Sequence, residues 1–143
     1  GKSTLMRAIM TTALLGGAGL FVPATRAVIP RYDMFFLRTA SFDVPAEGKS
    51  AWALEMDDIR ILLRDSTNKS LAMIDELGKG TSSKDGASIG ASILEAMDAV
   101  PLTGIFATHL HEILSLPLRT KNVSLKRMGI DWTEKNAPKW TFK

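Results

Sequence analysis

The sequence predicts an α/β protein with a mainly parallel sheet flanked by helices. Three observations carry this. Ser70 to Ile74 and Leu102 to Ala107 are short apolar runs ending in polar groups, the mark of buried strands. Three other stretches repeat their apolar residues at helical spacing. The two kinds alternate along the chain, which is the pattern of strands joined by helical crossovers. With 143 residues there is room for one domain and one core.

Taken in order, Ser3 to Leu15 is predicted helical. Leu5, Met6, Ile9, Met10, Ala13 and Leu14 form its apolar face, and Gly16-Gly17-Ala18-Gly19 ends it. Arg26 to Ile29, between Pro23 and Pro30, is a short strand candidate, and Met34 to Arg38 a second. Ser41 to Lys49 reads as a loop broken by Pro45 and Gly48. Ser50 to Leu63 returns to helical period through Trp52, Met56, Ile59 and Leu63. The Ser70–Ile74 strand runs into Asp75-Glu76 and a polar loop from Gly78 to Asp85. Ser83 to Ala99 is an amphipathic helix with Ala87, Gly90, Ala91, Leu94 and Met97 inward, and Ser82 or Ser83 can cap it. After the Leu102–Ala107 strand and Pro117 the pattern weakens. Val123 to Ile130 and Lys139 to Phe142 are expected to form an edge hairpin.

Hydrophobic residues make up 45% and charged ones 23%, so the composition is that of an ordinary globular chain. No apolar run reaches the roughly 18 residues of a membrane span. The absence of cysteine excludes disulfides and thiolate metal sites, and two histidines make a poor transition-metal site. A net charge of +3 is compatible with nearby nucleic acid without demanding it.

The chemistry starts at the first residues. Gly1-Lys2-Ser3-Thr4 matches the back half of the phosphate-binding pattern G-x-x-x-x-G-K-[ST]. In that reading Lys2 bridges the β- and γ-phosphates and the Ser3 hydroxyl sits on Mg²⁺. The expectation is that the front half of the motif and its strand precede Gly1. The alternative is an ordinary polar helix start. Asp75 and Glu76 close an apolar strand, where ligands bind in open α/β sheets. Asp75 is placed to hold Mg²⁺ through water and Glu76 to polarise an attacking water; a solvated acidic turn is the alternative. His109 follows the next strand, where an imidazole can touch a γ-phosphate or orient the water, although a lone histidine there can also be structural. His111 is assigned to surface or packing.

Together these residues resemble the ATPase domain of the MutS mismatch-repair family. The Asp-Glu strand is followed by Gly78 to Gly86, similar to the family's Gly-x-Gly-Thr-Ser-x-x-x-Gly. Ala107-Thr108-His109 matches its Ala-Thr-His stretch. Gly48-Lys49-Ser50-Ala51-Trp52-Ala53-Leu54-Glu55-Met56 matches its signature Gly-[Arg/Lys]-Ser-[Thr/Ser]-x-x-x-Glu-Met, with Ala51 in place of the usual hydroxyl. The order holds from Gly1 to about Leu118.

The resemblance implies a P-loop NTPase of the ABC superclass, with residues 1–143 a single ATPase domain incomplete at both ends. It implies ATP and Mg²⁺ as ligands and a homo- or heterodimer in which Ser50 reaches the γ-phosphate held by the partner. It implies mismatched double-stranded DNA as a partner through upstream domains, and no membrane. Phe42 to Ser50, Thr108 to His111 and Leu116 to Val123 resemble the plant-type organellar branch. That branch implies a mitochondrion or plastid; otherwise a nucleus or a bacterial cytoplasm is expected. Two other readings stay open: a MutS2-like ATPase acting on other nucleic-acid structures or ribosomes, and a dimerisation module that binds nucleotide without turnover.

Overall fold

The computed structural model describes residues 1–39, 50–78, 81–133 and 137–140. In chain order these form α1 (Lys2–Gly17), β1 (Met34–Arg38), α2 (Ala51–Asp65), β2 (Ser70–Asp75), α3 (Ser83–Ala99), β3 (Thr103–Ala107), a 3-10 turn (His111–Ser115), β4 (Ile130–Trp132) and β5 (Pro138–Trp140). β1, β2 and β3 make one parallel sheet in that spatial order. The α/β class is therefore as the sequence predicts.

β2 is the centre of the molecule, with every one of its residues buried. Alternation along it divides the core into two layers. Ala72 and Ile74 face Ile59 and Leu62 of α2 and Ile93 and Met97 of α3. Leu71 and Met73 face Met6, Met10 and Ala13 of α1. Fully burying side chains of this size stabilises by about 1.5–3 kcal/mol each, so this doubly covered strand is the main anchor of the sheet. Where β1 and β2 begin, Asp33 accepts from the Thr67 and Ser70 hydroxyls at 2.5 and 3.2 Å, tying the starts of the two strands together. The Thr67 bond holds the Asp33 carboxyl below its ordinary pKa.

Several sequence expectations need correction. α1 does not stop at Gly16: it runs through Gly17, and Gly19 at φ 77 closes it. Its apolar stripe is only half used, since Leu5, Ile9 and Leu14 are more than a third exposed. A single sheet face is only wide enough to cover the Met6–Met10–Ala13 line. On α2 the buried line is Glu55, Ile59 and Leu62, displaced from the predicted one, while Met56 and Leu63 pack at its margin. Arg26 to Ile29 is not a strand. Pro30 lacks an N–H for a ladder, and the segment instead lays Ile29 against the α1 layer.

Val123 to Ile130 is not a strand either. The adjacent cations Lys126-Arg127 break its alternation. Pairing starts only at Ile130, opposite Trp140, and the hairpin is a separate antiparallel ribbon, not an edge of the main sheet. Asp131 and Trp132 belong to its first strand and Pro138 to its second. The remainder of the Lys139–Phe142 expectation lies outside the described residues, as does the Ser41–Lys49 loop.

Candidate active site

Because the three strands are parallel, their C-terminal ends lie along one edge of the sheet. The segments leaving β2 and β3 there are Glu76–Gly78 and Thr108–Leu110, and all of these but Thr108 line a shallow cleft. Open α/β sheets bind ligands at this edge. The N-terminus of α1 reaches it too: Lys2 Nζ donates to the Thr108 carbonyl at 3.1 Å.

Asp75 ends β2, opposite Ala107 of β3, and is 8% exposed. Its Oδ1 is buried without a hydrogen-bond partner among the described residues. A buried carboxyl oxygen in that state calls for a cation or a donor. Glu76 follows at φ 60, a left-handed conformation uncommon for any residue with a Cβ. Its N–H still bonds the Ala107 carbonyl at 2.9 Å, so the ladder continues by one bond while the chain turns.

The Glu76 carboxylate meets His109, with Oε1 2.5 Å from Nε2. The Lys2 ammonium stands 3.5 Å from Nδ1 and 3.4 Å from Nε2 of the same ring. A consistent proton assignment puts hydrogen on Nε2, donating to Glu76, and leaves Nδ1 to accept from Lys2. Glu76 is largely covered and His109 two-thirds exposed, so the cluster opens to solvent on the histidine side. Thr108 holds the turn, its hydroxyl accepting from Leu110 N–H at 2.9 Å.

Gly1 sits at the N-cap of α1, and its carbonyl accepts from Leu5 N–H at 3.0 Å. The first N–H groups of a helix lack intrahelical acceptors, so those of Lys2, Ser3 and Thr4 are donors available to an anion. Ser50 lies at the N-cap of α2, its hydroxyl accepting from Ala53 N–H at 3.2 Å. It is not part of the Lys2–Glu76–His109 cluster. Gly48 and Lys49 of the signature, and Lys79 and Gly80 of the loop after β2, lie outside the described residues. Ser82 is the cap of α3, accepting from Asp85 N–H at 3.2 Å. His111 is exposed, as expected.

Among the described residues no three His, Asp or Glu side chains gather to hold a metal. Mg²⁺ commonly uses one or two carboxylates with waters and phosphate, so this does not disfavour it. The unsatisfied Asp75 oxygen fits such a role.

Three residues beside the cluster had no individual role in the sequence reading. Thr108 contributes its carbonyl as well as its hydroxyl. Arg38 and Glu55 form a buried ion pair at 3.4 Å beneath the turn that carries Glu76. The signal for Glu55 was available: a glutamate at helical spacing from Ile59 and Leu62 lies on an apolar face, where an acid needs a partner.

The family model described as MutS domain V matches residues 1–142. The chain is 44% identical over 141 residues to the DNA mismatch repair protein MSH1, mitochondrial, of Arabidopsis thaliana, covering 98% of the chain and 13% of that protein. It is 40% identical over 124 residues to the DNA mismatch repair protein MutS of Thermus thermophilus, covering 86% of the chain and 15% of that protein. The corresponding protein of Myxococcus xanthus is 44% identical over 117 residues, 81% of the chain and 13% of its own length. The chain thus spans only a small part of these relatives, and over that part, from Lys2 in α1 to the hairpin, it belongs to the MutS family, in its domain V.

Proposed function

We propose that this chain binds and hydrolyses ATP as the P-loop, ABC-type engine of a protein that acts on mismatched DNA. The observation that carries the reading is the meeting of Lys2, Glu76 and His109. They come from three separate segments and converge at the C-terminal edge of a parallel sheet. DNA mismatch repair is what the names of the relatives state; in this reading recognition of mismatched duplex falls to segments outside these residues.

In this reading the γ- and β-phosphates lie at the N-terminus of α1. Lys2 exchanges the Thr108 carbonyl and the His109 ring for phosphate oxygens. Ser3 and Asp75 are the residues that would hold Mg²⁺, which when bound neutralises charge developing on the phosphates. Glu76 orients the attacking water and accepts its proton on the carboxylate. His109 holds that carboxylate by the Nε2 hydrogen bond and faces the γ-phosphate. A positioned base of this kind contributes about 10²–10⁴ in rate.

Ser50, at a helix N-terminus away from the cluster, serves the nucleotide of a second subunit, so the active unit is a dimer. Its separation from the Lys2–Glu76–His109 cluster supports that placement. An organellar location follows the resemblance to the plant protein.

The test is ATP turnover by the natural full-length protein carrying these residues, with matched and mismatched duplexes. Mismatch-dependent change in turnover supports the reading. ATP-dependent dimerisation without turnover supports a non-hydrolysing module. Turnover responding only to other nucleic-acid structures or to ribosomes supports a MutS2-like role.

A further inference from the structure

The Arg38–Glu55 pair lies below the candidate site, and the proposed reaction gives it no task. Arg38 ends β1 and Glu55 is in the second turn of α2. Their side chains are 5% and 8% exposed. Arg38 Nη2 donates to Glu55 Oε1 at 3.4 Å, and Nη1 to Asp58 Oδ2 at 2.9 Å. The other Glu55 oxygen, Oε2, accepts from the backbone N–H of Gly78 at 3.2 Å. Gly78 is two residues after Glu76, in the same turn. That turn carries two left-handed residues, Glu76 at φ 60 and Gly78 at φ 89. A non-glycine residue holds such a conformation only when its surroundings over-determine it. The restraints on it include the Glu76–Ala107 ladder bond, burial of Leu77 and the Glu55–Gly78 bond.

We propose that Glu55 is a positioning residue for hydrolysis, its buried carboxylate tying the helix capped by Ser50 to the turn that aims Glu76. The inference rests on the ATPase reading. Ser50 and Glu55 share the first two turns of α2, so they move as one rigid body. A nucleotide arriving at Ser50 therefore shifts the acceptor of Gly78 N–H and with it the turn. Glu55 touches neither nucleotide nor water; it acts through Glu76. Nucleotide occupancy at the Ser50 end of α2 in this way sets the readiness of the same subunit's own Glu76.

Removing Glu55 alone would take from Arg38 its buried carboxylate partner, leaving Asp58, which is about half exposed, and would risk the fold. The test therefore compares two variants that both delete the ion pair, Arg38→Met/Glu55→Gln and Arg38→Met/Glu55→Met, in the natural full-length protein. The first keeps an amide oxygen for Gly78 N–H and the second does not. Melting temperature, ATP affinity at equilibrium and single-turnover hydrolysis are measured for both and for the unaltered protein. The inference expects the Gln form to hydrolyse about tenfold faster than the Met form, with equal ATP affinity, the rate value of one lost hydrogen bond to a reacting-group turn. It also expects turnover at the altered subunit's own site to respond to Ser50→Arg in that same subunit in the Gln form and not in the Met form. Equal hydrolysis by the two variants, while the unaltered protein hydrolyses ATP, overturns the role of Glu55 and leaves the ATPase reading standing. Absence of hydrolysis in the unaltered protein overturns both.

Discussion

Lys2 and Thr108, 106 positions apart in the chain, meet at 3.1 Å through the lysine ammonium and the threonine carbonyl. This contact brings the start of α1 to the end of β3, so the Lys2 ammonium and the His109 imidazole share one edge. Lys2 is expected to carry much of the nucleotide affinity. Charge-assisted hydrogen bonds are worth about 1.5–3 kcal/mol each. Lys2→Ala should therefore weaken Mg-ATP binding by about one to two orders of magnitude, read by calorimetry. The fold should survive, because the contact is near the surface.

Ser50→Arg should separate the two sites of a dimer. A subunit with this change should bind its own ATP and impair hydrolysis in its partner. Mixed dimers that pair it with a Lys2→Ala subunit report which site is affected. A defect confined to the altered subunit's own site contradicts the shared arrangement.

Gly78→Ala should destabilise the protein. The residue sits at φ 89, and an added Cβ would stand 3.1 Å from the Gly86 Cα. Left-handed strain costs of order 1–3 kcal/mol, and here two backbones would also have to part. The denaturant midpoint should fall with the slope unchanged. An unchanged midpoint would mean that the turn relaxes freely, which also conflicts with its role in aiming Glu76.

Asp98 on α3 should make docking of the following segment pH-dependent. Its carboxylate accepts from Lys121 N–H at 2.6 Å and Asn122 N–H at 2.9 Å. The Lys121 backbone bond is the main cause of a carboxyl held below its ordinary value. A depressed folded pKa means the stabilisation is complete above the unfolded value of about 3.9 and is lost as pH falls through the folded one. The amide chemical shifts of Lys121 and Asn122 should titrate together with a midpoint below about 3.9, and Asp98→Asn should abolish the titration. A midpoint at or above the ordinary value contradicts this.

The strands and helices around β2 were legible because burial leaves a periodic trace. β1 and α3 are found at their predicted bounds, and β2 and β3 within one residue. Segments whose order depends on distant partners left no such trace. Nothing local in Arg26 to Ile29 says that Ile29 lies over α1 in place of joining a ladder. In Val123 to Ile130 the adjacent cations Lys126-Arg127 interrupt any strand period, and pairing starts only at Ile130. Lys2, Glu76 and His109, singled out by their places at element ends, do come together at one edge of the sheet, and Asp75 lies beside them at the end of β2. The Arg38–Glu55 pair was not legible, because its partners come from β1, α2 and the turn after β2.

The central claim is that Glu76 acts on water at this edge of the sheet, and Glu76→Ala tests it most directly. In the natural full-length protein, ATP affinity and single-turnover hydrolysis are measured on the same sample. The account predicts near-normal ATP binding with hydrolysis slowed by about 10²–10⁴. Hydrolysis at the unaltered rate, with His109 and Lys2 intact, would contradict it.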